Sequence, residues 1–255
     1  MIYGKLPVVF LSAVASEKSG STNSTIAAYL LEHMDEVKDL GIKDLAGKCH
    51  VGTGSFSRFC KEIGLQDFVE LRELLRTTEL FYEAGSNGDS TAVRVSECGR
   101  KVRQSVDMVT RSISLPRLRA LCEDLKNYQR IAAFGLLKAE SAAINLQGDL
   151  LMIGRQVYTH VSYAEQMRYI REAGEDDLIL IFSCTGSYFE YQKERLSWPE
   201  KKRPKIWMIC GREPAMPEYV SKVLLYESLQ DQASHPYQLQ YAASLIAQEY
   251  FSLAI

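Results

Sequence analysis

Apolar residues recur at helical spacing through the first third of the chain. Ile26, Leu30, Met34 and Val37 fall on one face of a first helix, preceded by the cap-capable Asn23, Ser24 and Thr25. Ile42 to Cys49 (IKDLAGKC) predicts a short helix with Ile42, Leu45 and Ala46 inward, and His50, Val51 and Gly52 a tight turn. Phe56, Phe59, Cys60 and Ile63 then recur at i, i+3, i+4 and i+7, so the next helix is anchored by that face. Its opposite face carries Thr53, Gly54, Ser55, Ser57, Arg58 and Lys61. Two short helices, a tight turn and a polar second helix describe a helix-turn-helix. A plain three-helix bundle with a solvated face fits the same spacing, so pattern alone leaves both open.

Further along, Val102, Val106, Val109 and Ile113 define another helical face. Ser114 offers an N-cap and Pro116 a first turn for a helix through Leu118, Leu121, Cys122 and Leu125. From residue 130 the pattern changes to strand–helix alternation. Ile131 to Gly135 (IAAFG) is a short strand, Ala139 to Met152 a helix, Gln156 to His160 a second strand and Tyr163 to Glu172 a second helix. Leu178 to Ser183 (LILIFS) is a continuous apolar run, as in a parallel strand covered on both faces. Lys205 to Cys210 and Lys222 to Tyr226 continue the series, and Tyr237 to Ile255 reads as a closing helix. The expected fold is an all-α helix-turn-helix domain followed by a doubly wound α/β domain with a parallel sheet. The polar stretch Gly85 to Ser90 (GSNGDS) marks a break. The expected units are therefore 1–85 for the helix-turn-helix, 86–129 for a helical linker, and 130–255 for the α/β domain, which would bind ligand and oligomerise.

With 46% hydrophobic and 24% charged residues, the 255-residue chain is neither disordered nor fibrous. A net charge of −2 speaks against a protein coated in basic charge for nucleic acid. Split along the chain, however, the balance is −3 for 1–85, +3 for 86–129 and −2 for 130–255. Within 43–61, Lys43, Lys48, Arg58 and Lys61 face only Asp44, a local +3 on the candidate DNA-reading helices. That is where electrostatic docking on DNA needs positive charge. Small hydroxyl side chains there let the backbone approach phosphates, while Arg58 and Lys61 reach phosphates or base edges. Residues 94–119 hold seven basic and two acidic side chains, which suits phosphate contacts, a partner chain or a solvated face.

The six cysteines and four histidines lack metal-ligand spacing, so no metal site, no cofactor and reduced cytoplasmic thiols are expected. Pro7 to Ala15 (PVVFLSAVA) ends in a small-x-small pattern like a signal-peptidase site; it is read here as a helix or strand packed on the domain behind it. No later run reaches the ~20 apolar residues of a bilayer span.

The stretch from Ile26 to Leu75, with IKDLAGKCHV and SFSRFCKEIGLQDFVELREL, resembles the N-terminal domain of the RpiR/MurR family of transcriptional regulators. Leu45-Ala46, Val51, Ser55, Arg58-Phe59, Ile63-Gly64, Phe68 and Glu70 carry the likeness; Gly52 stands where that family usually caps the reading helix with serine. The resemblance implies a sequence-specific regulator contacting double-stranded DNA through Lys43, Lys48, Thr53, Gly54, Ser55, Ser57, Arg58 and Lys61. It further implies a sugar-isomerase-type (SIS) domain that senses a phosphosugar, no membrane partner, and assembly as a homodimer or homotetramer.

Residues 130–255 follow the SIS order of parts, which places ligand contacts at Gly135 and at Ser183, Cys184, Thr185, Gly186 and Ser187, ahead of a helix N-terminus that favours phosphate. The first turn departs from the family, with bulky Leu136 and Leu137 crowding the pocket and the usual threonine of the second loop falling at about Tyr188. Lys138 could serve as a phosphate partner or lie on the surface. Cys184 could form a low-pKa thiolate or be an ordinary small residue. Glu140 alone lacks the second acid/base group that isomerisation needs, so no catalytic residue is expected. An SIS-type sugar-phosphate isomerase with an accessory helical domain, and a binding module without DNA or ligand, are the competing readings.

Overall fold

A computed structural model describes residues 5–79, 90–191, 195–199 and 202–254. Five helices come first: α1 (Lys5–Ser16), α2 (Thr22–Glu32), α3 (Ile42–Lys48), α4 (Thr53–Glu62) and α5 (Phe68–Thr77). The α2 cap is Ser21 rather than Asn23, Ser24 or Thr25; its Oγ accepts the Ser24 N–H at 3.2 Å. Met34 and Val37 are buried as expected, but α2 stops at Glu32 and turns carry both into the core. Leu45, Ala46, Phe56, Phe59, Cys60 and Ile63 are all buried, so the spacing did identify the inner faces of α3 and α4. Asp67 caps α5 by accepting the Glu70 N–H at 3.0 Å.

The remaining elements are α6 (Thr91–Ser112), α7 (Leu115–Asn127), β1 (Arg130–Phe134), α8 (Lys138–Met152), α9 (Tyr163–Glu172), β2 (Asp177–Phe182), β3 (Lys205–Cys210), β4 (Lys222–Leu225) and α10 (His235–Ala254). The Gly85–Ser90 break lies outside the described residues except for Ser90, the N-cap of α6. Ser114 caps α7 by position, with Pro116 in the first turn and no side-chain cap bond. The inner faces of α6 and α7 (Val109, Ile113, Leu118, Leu121, Cys122, Leu125) are buried against the α/β core.

The sheet runs β1-β2-β3-β4 with every neighbouring pair parallel. Two expectations are corrected here. Gln156 to His160 is not a full strand: it makes one bridge, Tyr158 to Ala132. Beyond it Thr159 turns its hydroxyl to Glu140 and the His160 carbonyl accepts from Gln166, which draws the backbone away from β1. Nor is there one helix per crossover. Among the described residues, only 3₁₀ turns stand between β2 and β3 (Tyr188–Tyr191) and between β3 and β4 (Pro217–Tyr219). Pro199 and Pro204 interrupt the first stretch, and Pro214 and Pro217 the second, where a helix interior does not tolerate proline.

The strands feed two cores by alternation. Ile131, Ala133, Leu178, Leu180, Phe182, Trp207 and Ile209 face α6, α7, α8 and α10. Ala132, Phe134, Ile179, Ile181, Ile206, Met208 and Cys210 face α9 and an aromatic layer that includes Tyr163, Tyr188, Phe189 and Tyr219. That second core continues through α1 into the N-terminal helices as one cluster. Nothing among the described residues is long and apolar enough, as a helix, to cross a membrane.

Candidate functional site

On α4 the three aromatic and sulfur-bearing anchors point inward, which leaves the polar residues outside. Thr53, Gly54, Arg58 and Lys61 are exposed, and Ser55 and Ser57 are half-buried. Gly52 is an extended N-cap (φ −76°, ψ 150°) with no side chain to cap, and the helix forms without one. A Cβ added at Gly54 would meet nothing within 4 Å, so this first turn is open to close approach by a phosphate. His50, at φ 54°, makes the sharp corner between α3 and α4. Lys43 and Lys48 are exposed on α3 beside them. All eight expected DNA contacts thus lie on α3 and α4.

Sequence reasoning missed the start of α2. Ser21, Thr22 and Asn23 share a shallow surface with Ser55, Arg58, Glu17 and Glu62, and Asn23 Nδ2 donates to both carboxylates. These carboxylates flank Arg58 on one side, so the positive charge of α4 is confined to the side away from them.

At the ends of the strands lies a pocket of about 60 Å³. Its walls are Leu136, Leu137, Lys138 and Ala139 from the start of α8, Ser183, Cys184, Thr185 and Ser187 from the loop after β2, Tyr188 and Tyr191, His235 and Leu239 of α10, and Val8 of α1. Ser183, Cys184, Thr185 and Ser187 therefore come together as expected, with Thr185 and Ser187 hydroxyls 2.6 Å apart. Gly135 and Gly186 act differently. The Gly135 N–H donates to Glu140 at 3.0 Å, and a Cβ there would stand 2.6 Å from Ala139 backbone. Gly186 (φ 70°) lets its loop sit on the Arg212 and Glu213 carbonyls, 2.9 and 2.6 Å from the position of a Cβ. Both glycines shape the pocket from behind.

The helix N-terminus expected after this loop is a four-residue 3₁₀ turn. The α8 N-terminus lines the pocket instead, with half-buried Lys138, whose ammonium donates to the Gln232 carbonyl at 3.1 Å. Leu137 holds φ 52°, ψ −114°, a conformation that glycine adopts without strain. Burial pushes the Cys184 thiol up, which favours the ordinary small residue over the low-pKa thiolate. His235 is held below its ordinary value chiefly by burial, with the nearby Lys138 charge adding to it and the hydrogen bond to the Asp231 carbonyl opposing it. The residues missed from sequence, Val8, Tyr191, His235 and Leu239, come from distant segments with no motif of their own.

Behind the pocket Glu140 is buried and accepts from Gly135 N, Thr159 Oγ1 (2.7 Å) and Gln166 Nε2 (2.8 Å). Burial raises its carboxyl to about 7 despite these donors. Gln166 Oε1 in turn accepts from the Tyr188 hydroxyl at 2.7 Å. Groups of three or more His, Cys, Asp or Glu able to hold a metal are absent among the described residues.

Residues 10–79 match the family model described as "Helix-turn-helix domain, rpiR family". An HTH-type transcriptional regulator of Caldanaerobacter subterraneus subsp. tengcongensis is 27% identical over 132 residues, 49% of this chain and 47% of that one. The chain's match thus spans about half the length of this curated relative. Among solved structures, the Vibrio vulnificus NanR protein complexed with ManNAc-6P is similar over 97% of this chain and 90% of its own, at 16% identity and a TM-score of 0.53. The E. coli CFT073 protein c3406 is similar over 66% of this chain and 93% of its own, at 14% identity and a TM-score of 0.54. Residues 10–79 are accordingly a helix-turn-helix domain of the rpiR family, followed by a parallel-sheet α/β domain of the fold seen in NanR.

Proposed function

We propose that the protein is a sequence-specific DNA-binding transcriptional regulator whose α/β domain answers to a phosphorylated sugar. The observation that carries the DNA half is the polar outer face of α4, with exposed Arg58 and Lys61 following a first turn that is free of bulk at Gly54, inside a match to the rpiR-family helix-turn-helix. Lys43, Lys48, Thr53, Ser55 and Ser57 add phosphate contacts in this reading, and two copies present two such helices to half-sites about one DNA turn apart. The effector half rests on the pocket, where Ser183, Thr185 and Ser187 hydroxyls, the α8 N-terminus and Lys138 offer donors to a phosphate. NanR, whose fold is similar, is complexed with ManNAc-6P, which supports a ligand of that class here.

Binding is favoured over isomerisation because Glu140 spends its carboxylate on three donors of its own fold and lies behind the pocket wall. Selection from random-sequence duplexes tests the DNA half: one recurring motif should be enriched, and enrichment of none would overturn it. A thermal-shift screen of phosphosugars tests the other half. At least one should raise the melting temperature, and stabilisation by none would reject the effector.

A further inference from the structure

Five consecutive residues near the start of α1, Leu6, Pro7, Val8, Val9 and Phe10, are all buried and so cover every side of the helix there. A helix apolar all round is one enclosed between two bodies. Val8 forms part of the pocket wall with Leu136, Thr185 and Tyr188. Phe10, two residues on and so about 200° around the axis, faces the other way. It stacks on Phe59 of α4, ring centroids 6.1 Å apart. Ser12 then ties α1 to the α/β domain, donating to the Val161 carbonyl at 3.1 Å and accepting the Tyr163 N–H at 3.0 Å. One short helix therefore touches the pocket with one side and the DNA-reading helix with the other.

The pocket of about 60 Å³ has room for a few waters, whereas small-molecule sites span about 300–1,000 Å³. Its other walls are braced: Tyr188 by Gln166 and Tyr163, Thr185 by Ser187, and the α8 end by the Lys138 bond to Gln232. We propose that an effector the size of a phosphorylated sugar enters by displacing Val8. The same movement of α1 draws Phe10 away from Phe59 and loosens α4. Because close-packed cores yield by shifting whole elements, α1 moves as a unit. Occupation of the pocket and tight DNA binding then oppose each other, and by linkage DNA weakens the effector equally. This mechanism rests on the effector reading of the pocket.

The test fills the pocket from within and reads hydrogen exchange on the full chain. Thr185→Trp, and the milder Ser187→Leu, should speed exchange at least tenfold in both 6–16 and 53–62. Adding Val8→Ala to either variant should restore protection. DNA affinity, where the selected duplex is bound, should fall between about 5- and 150-fold in the filled variants and recover with Val8→Ala. Unchanged exchange in the two helices with Ser187→Leu, or a rise that Val8→Ala leaves in place, would overturn the coupling. A wild-type chain that binds no DNA or phosphosugar would sink the functional reading instead, while the exchange data still decide whether α1 links pocket and reading helix.

Discussion

Glu140 shows how one residue can be both well satisfied and uneasy. Three donors hold it, yet burial dominates and raises its carboxyl from the ordinary 4.5 to about 7. Between those values the folded chain keeps a proton that the unfolded chain has released, so this group's stabilisation is full below pH 4.5 and fades as pH rises toward 7. The swing is of the order of 3 kcal/mol at about 1.36 kcal/mol per unit. His235, shifted downward, works in the opposite sense, gaining stability as pH rises toward its ordinary 6.5. Urea melts at pH 5 and pH 8 should therefore be compared between wild type and Glu140→Gln. The difference should shrink wild-type stability at pH 8 relative to pH 5 and leave the variant flatter; identical slopes would contradict the burial argument. Glutamate at this place was visible in the sequence, but its role depended on Thr159 and Gln166, which only the fold brings to it.

At the scale of elements, regular periodicity was legible and shared burial was not. The expected Tyr163–Glu172 helix and Lys205–Cys210 strand appear with the expected bounds, because one has a clean inner face and the other an unbroken apolar run. The lack of α-helix among the described residues of the last two crossovers was not anticipated; aromatics there fall without helical spacing, and prolines interrupt both stretches. The opening PVVFLSAVA run was ambiguous for a physical reason, since a segment apolar on all sides has no face to reveal a partner. In the fold it is α1, and its Ser12 caps the first turn of α9 from another part of the chain. Ser12→Ala strips a partner from both the Tyr163 N–H and the Val161 carbonyl. It should cost about 1–3 kcal/mol in a denaturant titration, whereas the same change at exposed Ser141 should cost much less.

For the molecule as a whole, near-neutral net charge concealed a placement. The basic side chains of 43–61 stand exposed on α3 and α4, while Glu17 and Glu62 bound that surface on one flank. The face proposed to meet DNA was legible because two adjacent short helices carry it; the pocket was not, because its walls come from α1, α8, the loop after β2 and α10. The most direct measurement is the salt dependence of binding to the selected duplex, for wild type and for the Arg58→Ala, Lys61→Ala double variant. Each phosphate neutralised contributes a slope of about −0.9 in log affinity against log salt. The account predicts a steep wild-type slope, and a variant that binds more weakly with a slope shallower by about 1–2. Equal affinity and equal slope in the two proteins would contradict the assignment of α4 as the helix that reads DNA.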